Sequence, residues 1–418
     1  MADSWPEIGG LPYAPSKAWA NAALIHIGEI MGGQRRVLKA SREGAELGAE
    51  MLSPRPFQGI VEALQNADDV RASNVHLAVR VNGRREFLIA HDGEPVQLSD
   101  VWAMLLPYVT PKRHDSDASG RFGIGQMTLR SLGHPIEVHC PPFHFSMTTD
   151  GPKLLESPAS ILGLYDPEAR DTLIVVPLHE GVDVKALAQA VEDLGPAGLI
   201  FLRTVRRLTY SDAIDSVSRD FQLIETAAAT VSLEIGDQTT RATRATLQPQ
   251  VDGVQRETEF VRFLWDKPLS SGERRAHKAT GGTTPVGVCL LPEGADAALY
   301  NRVPLPIVLG FPFSLNAQFD PDSARSALQP NNWNRRRLTD LASLTAAVSR
   351  HEFASSAETA WRAIPLVREV PIDGEWLSRL LRDDFVPMVH DDLRSRNAAV
   401  YFRRSQTPLS PDVRGHGA

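Results

Sequence analysis

Apolar and polar positions alternate with two different periods along the first part of the chain. Residues 16–52 carry two helical patterns on either side of Gly32-Gly33, and a third pattern, FQGIVEALQNADDVRA, begins after Pro54. Two strand-like runs follow, NVHLAVRV and RREFLIAH, and Asn82-Gly83 joins them. Asn-Gly between alternating apolar residues is the strongest short signal for a β-hairpin. This pattern predicts helices followed by two antiparallel strands.

The rest of the chain changes from mixed patterns to strands and then to helices. Thr110–Ser119 is polar and aperiodic, which predicts a mobile loop, and a glycine-containing helical pattern follows it. The β-branched run Asp171–Leu178 predicts a buried strand. Residues 200–330 are mainly strand-like, and the patterns from Trp333 to Arg382 are helical.

The composition narrows the class of protein. Of 418 residues, 42% are hydrophobic and 23% are charged, which excludes a disordered, collagen-like or coiled-coil chain. The two cysteines, Cys140 and Cys289, are too few for a disulfide framework, so a reducing compartment is expected. No apolar run approaches the roughly 18 residues of a membrane helix, and MADSWPEIGG lacks the layout of a signal peptide. We therefore expect a cytoplasmic protein without a membrane partner, and the net charge of −7 argues mildly against a nucleic-acid partner.

Three polar side chains share one face of the helix predicted over GIVEALQNADD. Glu62 and Asn66 are four residues apart and Asp69 is three further on, so a helix places them on one side. An Asn carbonyl oxygen is a hard ligand that suits Mg²⁺, and a carboxylate one turn earlier can deprotonate water for attack on a γ-phosphate. A solvated helix face is the better explanation of E-x-x-x-N when the motif stands alone.

Two further segments have chemistry that suits a nucleotide. GRFGIGQMT (Gly120–Thr128) places three glycines before a helical pattern, where backbone N–H groups can approach phosphate oxygens. A P-loop is excluded because no Lys follows these glycines, and a dinucleotide fingerprint is excluded because Thr128 stands where it needs a glycine. FLIAHDGEPV ends a strand at Asp92-Gly93, where an acceptor can receive the exocyclic amine of adenine. An ordinary strand-ending Asp-Gly turn is the better explanation of this last segment in isolation.

The order of these elements along the chain indicates a function more strongly than any one of the motifs does alone. A helix with E-x-x-x-N, a hairpin, a D-G turn, a polar loop, G-x-x-G-x-G, a helix and a late strand with a Thr together resemble the GHKL ATPase superfamily. That superfamily includes DNA gyrase B, the ninety-kilodalton heat-shock chaperones, histidine kinases and mismatch-repair ATPases. EALQNADD together with GRFGIGQ is most similar to the sacsin-like, heat-shock-chaperone-like branch. The resemblance covers residues 51–180, and a looser similarity extends to Leu309–Trp333.

The resemblance implies a fold class. It is an α/β (α+β) Bergerat-type sandwich, with helices on one face of a mixed, largely antiparallel sheet, followed by a second, transducer-like α/β domain and a C-terminal helical segment. With the boundary signal at Gly195-Pro196, we predict five regions. They are a helical arm, an ATP-binding domain, a strand-rich domain, a helical segment and a flexible tail, at residues 1–50, 51–195, 196–332, 333–400 and 401–418.

The family's functional positions carry over to residues that match its motifs. Glu62 corresponds to the catalytic base, Asn66 corresponds to the Mg²⁺ ligand, and Asp69 lies on the same helix face. Residues 105–119 correspond to a lid that closes over the nucleotide, and Thr172 to a Thr that supports the adenine site. The other implied nucleotide contacts belong to the lid and the glycine loop: Lys112, Arg113, Gly120, Arg121, Phe122, Gly123, Ile124 and Gly125.

One departure from the family concerns the base. The family has D-x-G-x-G at the adenine turn, whereas this chain has His91-Asp92-Gly93-Glu94-Pro95. Aligned on Gly93, His91 occupies the position of the adenine-binding Asp. Either Asp92 takes that role by a one-residue shift or His91 accepts through a ring nitrogen. Adjacent strand residues point to opposite faces, so only one of the two can do so without a bulge.

The resemblance implies a protein that binds ATP with Mg²⁺ and hydrolyses it slowly, and whose lid closure rearranges its domains. Chaperone-like action on protein clients is then the expected function, and the oligomeric state, a dimer included, stays open. A nucleotide-gated interaction module in DNA processing or defence is one alternative. An ATP-binding protein that does not hydrolyse the nucleotide is another.

Other polar groups have simpler explanations. His139, Cys140 and His144 alternate between strand faces, which favours core packing over a metal site. Arg325 is better explained by a salt bridge than by contact with the γ-phosphate. Solvated helix ends explain two arginine groups as well as phosphate contacts do: Arg203, Arg206 and Arg207, and Arg335, Arg336 and Arg337.

Overall fold

The computed structural model describes residues 16–33, 56–105, 125–148, 150–277, 281–322, 326–356, 360–371 and 375–396. The chain divides into two compact units. Unit 1 contains the chain up to Ile224 together with Pro249–Arg256, and unit 2 contains Glu225–Gln248, Glu257–His277 and the residues from 281 onward. Unit 1 therefore extends past residue 195, where the sequence predicts a boundary.

Unit 1 combines helices with a twisted run of strands. Its described helices are α1 (Lys17–Gly33), α2 (Pro56–Asp69), α3 (Leu98–Leu105), α4 (Gly125–Leu132) and α5 (Val184–Leu194). Its strands are β1 (Asn74–Val81), β2 (Arg85–His91), β3 (Ile136–Cys140), β4 (Phe143–Thr148), β5 (Gly151–Leu154), β6 (Thr172–Pro177) and β7 (Arg207–Asp212). The helix predicted over GIVEALQNADD and the strand predicted over Asp171–Leu178 are both confirmed, as α2 and β6.

The strands of unit 1 lie in the order β7-β1-β2-β6-β3-β4-β5. Neighbouring strands are antiparallel except β1 and β7, which are parallel and start together at Asn74 and Arg207. The predicted hairpin joins β1 to β2, and Gly83 has a φ of +68°, a conformation that favours glycine. This arrangement confirms the predicted α/β fold with a mixed, largely antiparallel sheet.

Side chains on the two faces of this sheet have different surroundings. On one face a buried cluster contains Leu88, Ala90 and Leu173, and Tyr165 from the segment between β5 and β6 packs into it. Because side chains alternate along a strand, His91 and its neighbours at every second position point to the opposite face. His91 pairs directly with Thr172 of β6, so these two residues share that face.

Helices α2 and α4 approach each other closely at Gly59. A Cβ atom on Gly59 would lie 3.2 Å from Leu132 and 3.6 Å from Leu129, both on α4. Helix α5 also packs against α2. The N-terminus of α5 is capped by Asp183, whose carboxylate accepts a hydrogen bond from the Lys185 backbone N–H at 2.9 Å. The long helix α1 packs on β4 and β5. Among the described residues, no helix combines the length and the apolar character needed to span a membrane.

Unit 2 is strand-rich and ends in helices. Its strands lie in the order β14-β13-β15-β12-β11-β9-β8. They are β8 (Val217–Ile235) and β9 (Gln238–Val251), which begin or end in unit 1, and β11 (Phe260–Pro268), β12 (Thr283–Leu290), β13 (Ala297–Asn301), β14 (Val303–Leu309) and β15 (Phe313–Ala317). A short β10 (Val254–Gln255) pairs with the end of β9. The helices are α6 (Ser271–His277), α7 (Asn332–Ser355), α8 (Trp376–Leu380) and α9 (Val386–Arg396), so helices do follow the strands as predicted.

Candidate functional site

The three polar residues of α2 differ in their surroundings. Glu62 is buried, at 7% exposure, and Asn66 is half-buried one turn later. Burial of a carboxylate is costly unless it is partnered or used in binding. The Asp69 side chain is also buried and forms an ion pair with Arg203, Asp69 Oδ1 lying 3.5 Å from the guanidinium. The solvated helix face that explains E-x-x-x-N in isolation is therefore not what the structure contains at Glu62 and Asp69.

Asp68, which the sequence analysis does not single out, anchors the end of α2. Its Oδ1 accepts hydrogen bonds from the backbone N–H groups of Thr204 and Val205, at 2.8 and 3.3 Å, and from the Thr204 hydroxyl at 3.2 Å. Residues 204 and 205 precede β7, so Asp68 ties α2 to the start of a parallel strand. Asp68 and Asp69 are adjacent acids at a helix end, and nothing in the sequence alone distinguishes the anchor from its neighbour.

The Asp92-Gly93 turn lies directly against the end of α2. The Glu94 backbone N–H donates a hydrogen bond to the Val70 carbonyl at 2.7 Å. A Cβ atom on Gly93 would lie 2.7 Å from Val70 Cγ2 and 2.8 Å from the Val70 carbonyl oxygen, so only glycine fits without a shift. The Val70 N–H in turn donates to the Asn66 carbonyl at 3.3 Å. The turn is therefore one helical turn away from Asn66.

Asp92 uses both carboxylate oxygens at the start of β1. Its Oδ1 accepts hydrogen bonds from the backbone N–H groups of Ser73 at 2.7 Å and Asn74 at 2.9 Å, and its Oδ2 accepts one from the Asn74 side chain at 2.6 Å. Partial burial alone would raise the pKa of Asp92, but the hydrogen bonds from Asn74 and Ser73 outweigh it and lower that pKa. Asp92 thus acts as a local anchor between the turn and β1.

His91 is buried and lies beside Thr172. Its Nδ1 accepts a hydrogen bond from the Gly93 backbone N–H at 3.3 Å. Thr172, at 1% exposure, is its direct cross-strand partner, and the Thr172 hydroxyl lies beside the Cys140 thiol. Within the part of the chain that the structure describes, no nitrogen or oxygen is hydrogen-bonded to Thr172 Oγ1. The Cys140 thiol is therefore the hydrogen-bonding neighbour of this buried hydroxyl.

Only the end of the predicted glycine loop falls within the described residues. Gly125 begins α4, the helix that packs against α2 at Gly59. A helix N-terminus attracts anions, and the sequence analysis predicts a phosphate contact at this N-terminus of α4. The remaining loop and lid positions lie outside the described residues and stay predictions: Lys112, Arg113, Gly120, Arg121, Phe122, Gly123 and Ile124.

Several arginines considered as phosphate or nucleic-acid contacts form ion pairs within the chain, and of these Arg337 is buried while Arg203 and Arg207 are exposed. Arg203 pairs with Asp69, and Arg207 forms a bidentate pair with Asp220, with N···O distances of 2.9 and 2.8 Å. Arg337 is fully buried against Glu273, at 2.6 Å. Arg325 lies outside the described residues.

His139 and His144 face each other across β3 and β4, with ring centroids 5.6 Å apart. Cys140 points to the other face, where its Sγ accepts a hydrogen bond from the Val96 backbone N–H at 3.2 Å and burial raises the pKa of the thiol. Across the described residues, no group of three or more His, Cys, Asp or Glu side chains is arranged to hold a metal ion.

Comparison with known proteins adds little to this geometry. No protein-family profile matches the chain, and no curated protein matches it. A solved structure of the topoisomerase IV ATP-binding domain of Francisella tularensis, in complex with a small-molecule inhibitor, overlaps 38% of this chain and 83% of its own, with 16% identity and a TM-score of 0.26. A likeness of that size carries no functional argument, and none of these comparisons singles out the sacsin-like branch.

Proposed function

We propose that unit 1 binds ATP with Mg²⁺ and hydrolyses it slowly. The observation that carries this proposal is the meeting of sequence-distant motifs at one place. The Asp92-Gly93 turn contacts α2 one helical turn from Asn66, and His91 pairs with Thr172, eighty-one positions later in the chain. An ordinary turn and a solvated helix face would not be expected to lie together in this way.

The donor set on α2 fits a hydrated Mg²⁺ ion. Asn66 offers a neutral, hard amide oxygen at a half-buried position, and Mg²⁺ in triphosphate sites keeps several waters and phosphate oxygens as its other ligands. The ion, when bound, neutralises charge on the phosphates during transfer. No cluster of carboxylates is needed for such a site, because one protein ligand suffices.

Glu62 is the proposed general base. It precedes Asn66 by one helical turn and is buried, which limits competition from bulk water. In this role its carboxylate takes a proton from a water aligned with the γ-phosphorus, while Asn66 holds its place beside the phosphates.

The glycine loop and lid complete the proposal. By resemblance, Gly120, Gly123 and Gly125 surround the phosphates, and Lys112 and Arg113 approach them from the lid. Contacts made by the γ-phosphate only in the closed state give ATP its differential affinity, which any closure requires. Closure then drives a domain rearrangement that acts on protein clients.

The ion pairs of two arginines favour a protein client over a nucleic-acid partner. Arg203 and Arg207, which precede or begin β7, pair with Asp69 and Asp220 inside unit 1. A surface cation that is paired with a neighbouring carboxylate contributes less to phosphate-backbone binding than an unpaired one. The net charge of −7 supports the same choice.

Thermal unfolding of the full chain with and without Mg-ATP tests binding. At a hundredfold excess over Kd, nucleotide stabilises a protein by about 2.7 kcal/mol. We expect Glu62→Ala and the isosteric Glu62→Gln to keep this stabilisation and to lose phosphate release, and Asn66→Ala to weaken both.

The matched control is Glu86→Gln, which changes a second buried carboxylate of unit 1, at the opposite end of β2 from His91. It should leave phosphate release within about twofold of the parent. If Glu62→Gln hydrolyses ATP as fast as the parent, the assignment of the base is wrong. If Mg-ATP does not stabilise the parent chain, the whole proposal is wrong.

A further inference from the structure

We propose that Asp68 is a positioning residue of the nucleotide site, which fixes the rotation of α2 and with it the places of Glu62 and Asn66. The inference rests on the proposed function and gives Asp68 no contact with the nucleotide itself. It follows from a closed path of hydrogen bonds that joins α2, the start of β7, the start of β1 and the Asp92-Gly93 turn.

Asp68 lies on the side of α2 opposite Asn66. The two residues are two positions apart, and at 3.6 residues per turn their side chains diverge by about 200° around the helix axis. Val61 and Leu64, seven and four positions before Asp68, share its side and are buried. Such apolar contacts have no directionality, so they determine the rotation of the helix only weakly. Hydrogen bonds depend on angle as well as distance, and Asp68 supplies them on this side.

Three donors converge on one oxygen of Asp68. Its Oδ1 accepts hydrogen bonds from the Thr204 and Val205 backbone N–H groups and from the Thr204 hydroxyl. The residue is 1% exposed, and a buried charge is costly unless hydrogen bonds compensate it. Hydrogen bonds to a charged acceptor are roughly twice as strong as neutral ones. The last turn of α2 is therefore held at a defined angle to the segment before β7.

The segment before β7 is bonded in turn to the start of β1. The backbone N–H groups of Arg206 and Arg207 donate to the Ser73 carbonyl at 2.9 and 3.3 Å, and the Ser73 N–H donates to Asp92. Strands β1 and β7 then run parallel from this point. The carboxylates of Asp68 and Asp92 thus have the same role on neighbouring strands, because each receives backbone N–H groups at or just before the start of one of them.

The turn completes the path back to α2. The Glu94 N–H donates to the carbonyl of Val70, the residue directly after α2. We call this path the hydrogen-bonded ring, and its members are Asp68, Val70, Ser73, Asp92, Glu94, Thr204, Val205 and Arg206. A single contact can act as a hinge, whereas a closed ring fixes each member against two neighbours. Loss of Asp68 therefore lets α2 shift against the turn.

The first test measures phosphate release from Mg-ATP by the full chain. Asp68→Ala should lower kcat by about tenfold or more, because a misplacement of about 1 Å can cost up to about 100-fold in rate. KM should change by less than about threefold, because Glu62 and Asn66 are retained. Asp68→Asn, which keeps an acceptor oxygen for Thr204, should recover most of the loss.

Asp212→Ala is the matched control. Asp212 is another buried acid, at 3% exposure, and its Oδ1 accepts hydrogen bonds from the Ile214 and Asp215 backbone N–H groups at the other end of β7. Its loss weakens the same strand outside the hydrogen-bonded ring, so kcat should stay within about twofold of the parent. Equal losses of kcat in Asp68→Ala and Asp212→Ala assign Asp68 a structural role only and overturn the inference.

Hydrogen exchange of backbone amides without nucleotide tests the ring directly. Thr204→Val keeps the backbone donors and the shape of the side chain, so it covers the case in which Asp68→Ala fails to fold. In Thr204→Val and Asp68→Asn the Glu94 amide, across the ring from Thr204, should exchange about threefold faster than in the parent. Asp212→Ala should leave it unchanged. Parent-like exchange at Glu94 in both ring variants overturns the inference.

Failure of this inference differs from failure of the proposed function. If the parent is stabilised by Mg-ATP and hydrolyses it, and Asp68→Ala keeps the parental kcat, the proposed function stands and the role of Asp68 is overturned. If Mg-ATP does not stabilise the parent, both are overturned.

Discussion

A glycine at position 93 shows how one missing methyl group places two motifs together. The backbone of Gly93 lies against the side chain and carbonyl of Val70, with no room for a Cβ atom. The conformation of the turn does not require glycine by a positive φ, so the requirement comes from contact with α2. The D-G turn is thus positioned by packing as well as by its own geometry.

Gly93→Ala should therefore destabilise unit 1. The added Cβ would lie 2.7 and 2.8 Å from two Val70 atoms, and overpacking of this kind costs about 1–3 kcal/mol. Urea unfolding measures the loss. Gly181→Ala is the control, because a Cβ there meets nothing within 4 Å and should change the free energy of unfolding by less than about 0.5 kcal/mol. Equal stability of the two variants would show that packing of the turn against α2 does not require glycine at position 93.

A second prediction at the residue scale concerns acid sensitivity. Burial, then His139 and Lys17, lower the pKa of His144 to about 4, and Glu156 opposes this. His144 is therefore neutral in the folded chain, and its contribution to stability is complete above the ordinary pKa of 6.5 and is lost as pH falls towards 4.

When the pH falls from about 7.5 to about 5, the lowered pKa of His144 should reduce the free energy of unfolding of the parent chain by about 2 kcal/mol. His144→Gln should show a correspondingly smaller loss over the same interval in denaturant titrations. His26→Gln, at an exposed position, should behave like the parent. The prediction fails if His144→Gln and the parent lose equal stability.

At the scale of elements, helices are held by buried charges. Helix α2 is joined to the start of β7 through the Asp68 carboxylate. Helix α7 is joined to α6 through Arg337, whose guanidinium lies 2.6 Å from Glu273 and 2.9 Å from Asp340. Arg337 also lies over the Trp333 ring, 4.3 Å from its centroid. Arg337 is fully buried, whereas Arg335 and Arg336, which precede it on this helix, are exposed.

Replacing Arg337 should destabilise unit 2 strongly. Arg337→Met leaves Glu273 and Asp340 to share Lys267, which lies 3.0 and 3.4 Å from them, so the loss should lie near the lower end of the about 3–5 kcal/mol that a broken buried ion pair costs. Arg336→Met, the neighbouring exposed position, should change the unfolding free energy by less than about 0.5 kcal/mol. Chemical unfolding followed by tryptophan fluorescence compares the two, and similar midpoints would contradict the role assigned to Arg337.

At the scale of the whole molecule, the two units differ in what they contribute. Unit 1 contains the residues proposed to bind nucleotide, on a mixed sheet, and unit 2 contains a strand-rich sheet followed by helices. The parallel pairing of β1 with β7 makes β7 part of unit 1, although the sequence predicts a boundary before it. Pairing of strands more than a hundred residues apart leaves no local pattern from which a boundary could be predicted.

The sequence alone was sufficient for features that depend on neighbouring residues. Helix α2, the hairpin at Gly83 and strand β6 follow from apolar periodicity and turn chemistry, which act over a few residues. The resemblance that the order of the motifs supports implied the α/β fold and the candidates Glu62, Asn66 and Thr172.

Only the tertiary structure decided how adjacent side chains divide their roles. His91 and Asp92 are equivalent candidates in the sequence, yet one pairs with Thr172 and the other anchors β1. Asp68 and Asp69 are likewise separated into an anchor and a partner of Arg203. The reason is that a hydrogen bond depends on which face a side chain occupies and on what the rest of the chain brings to that face.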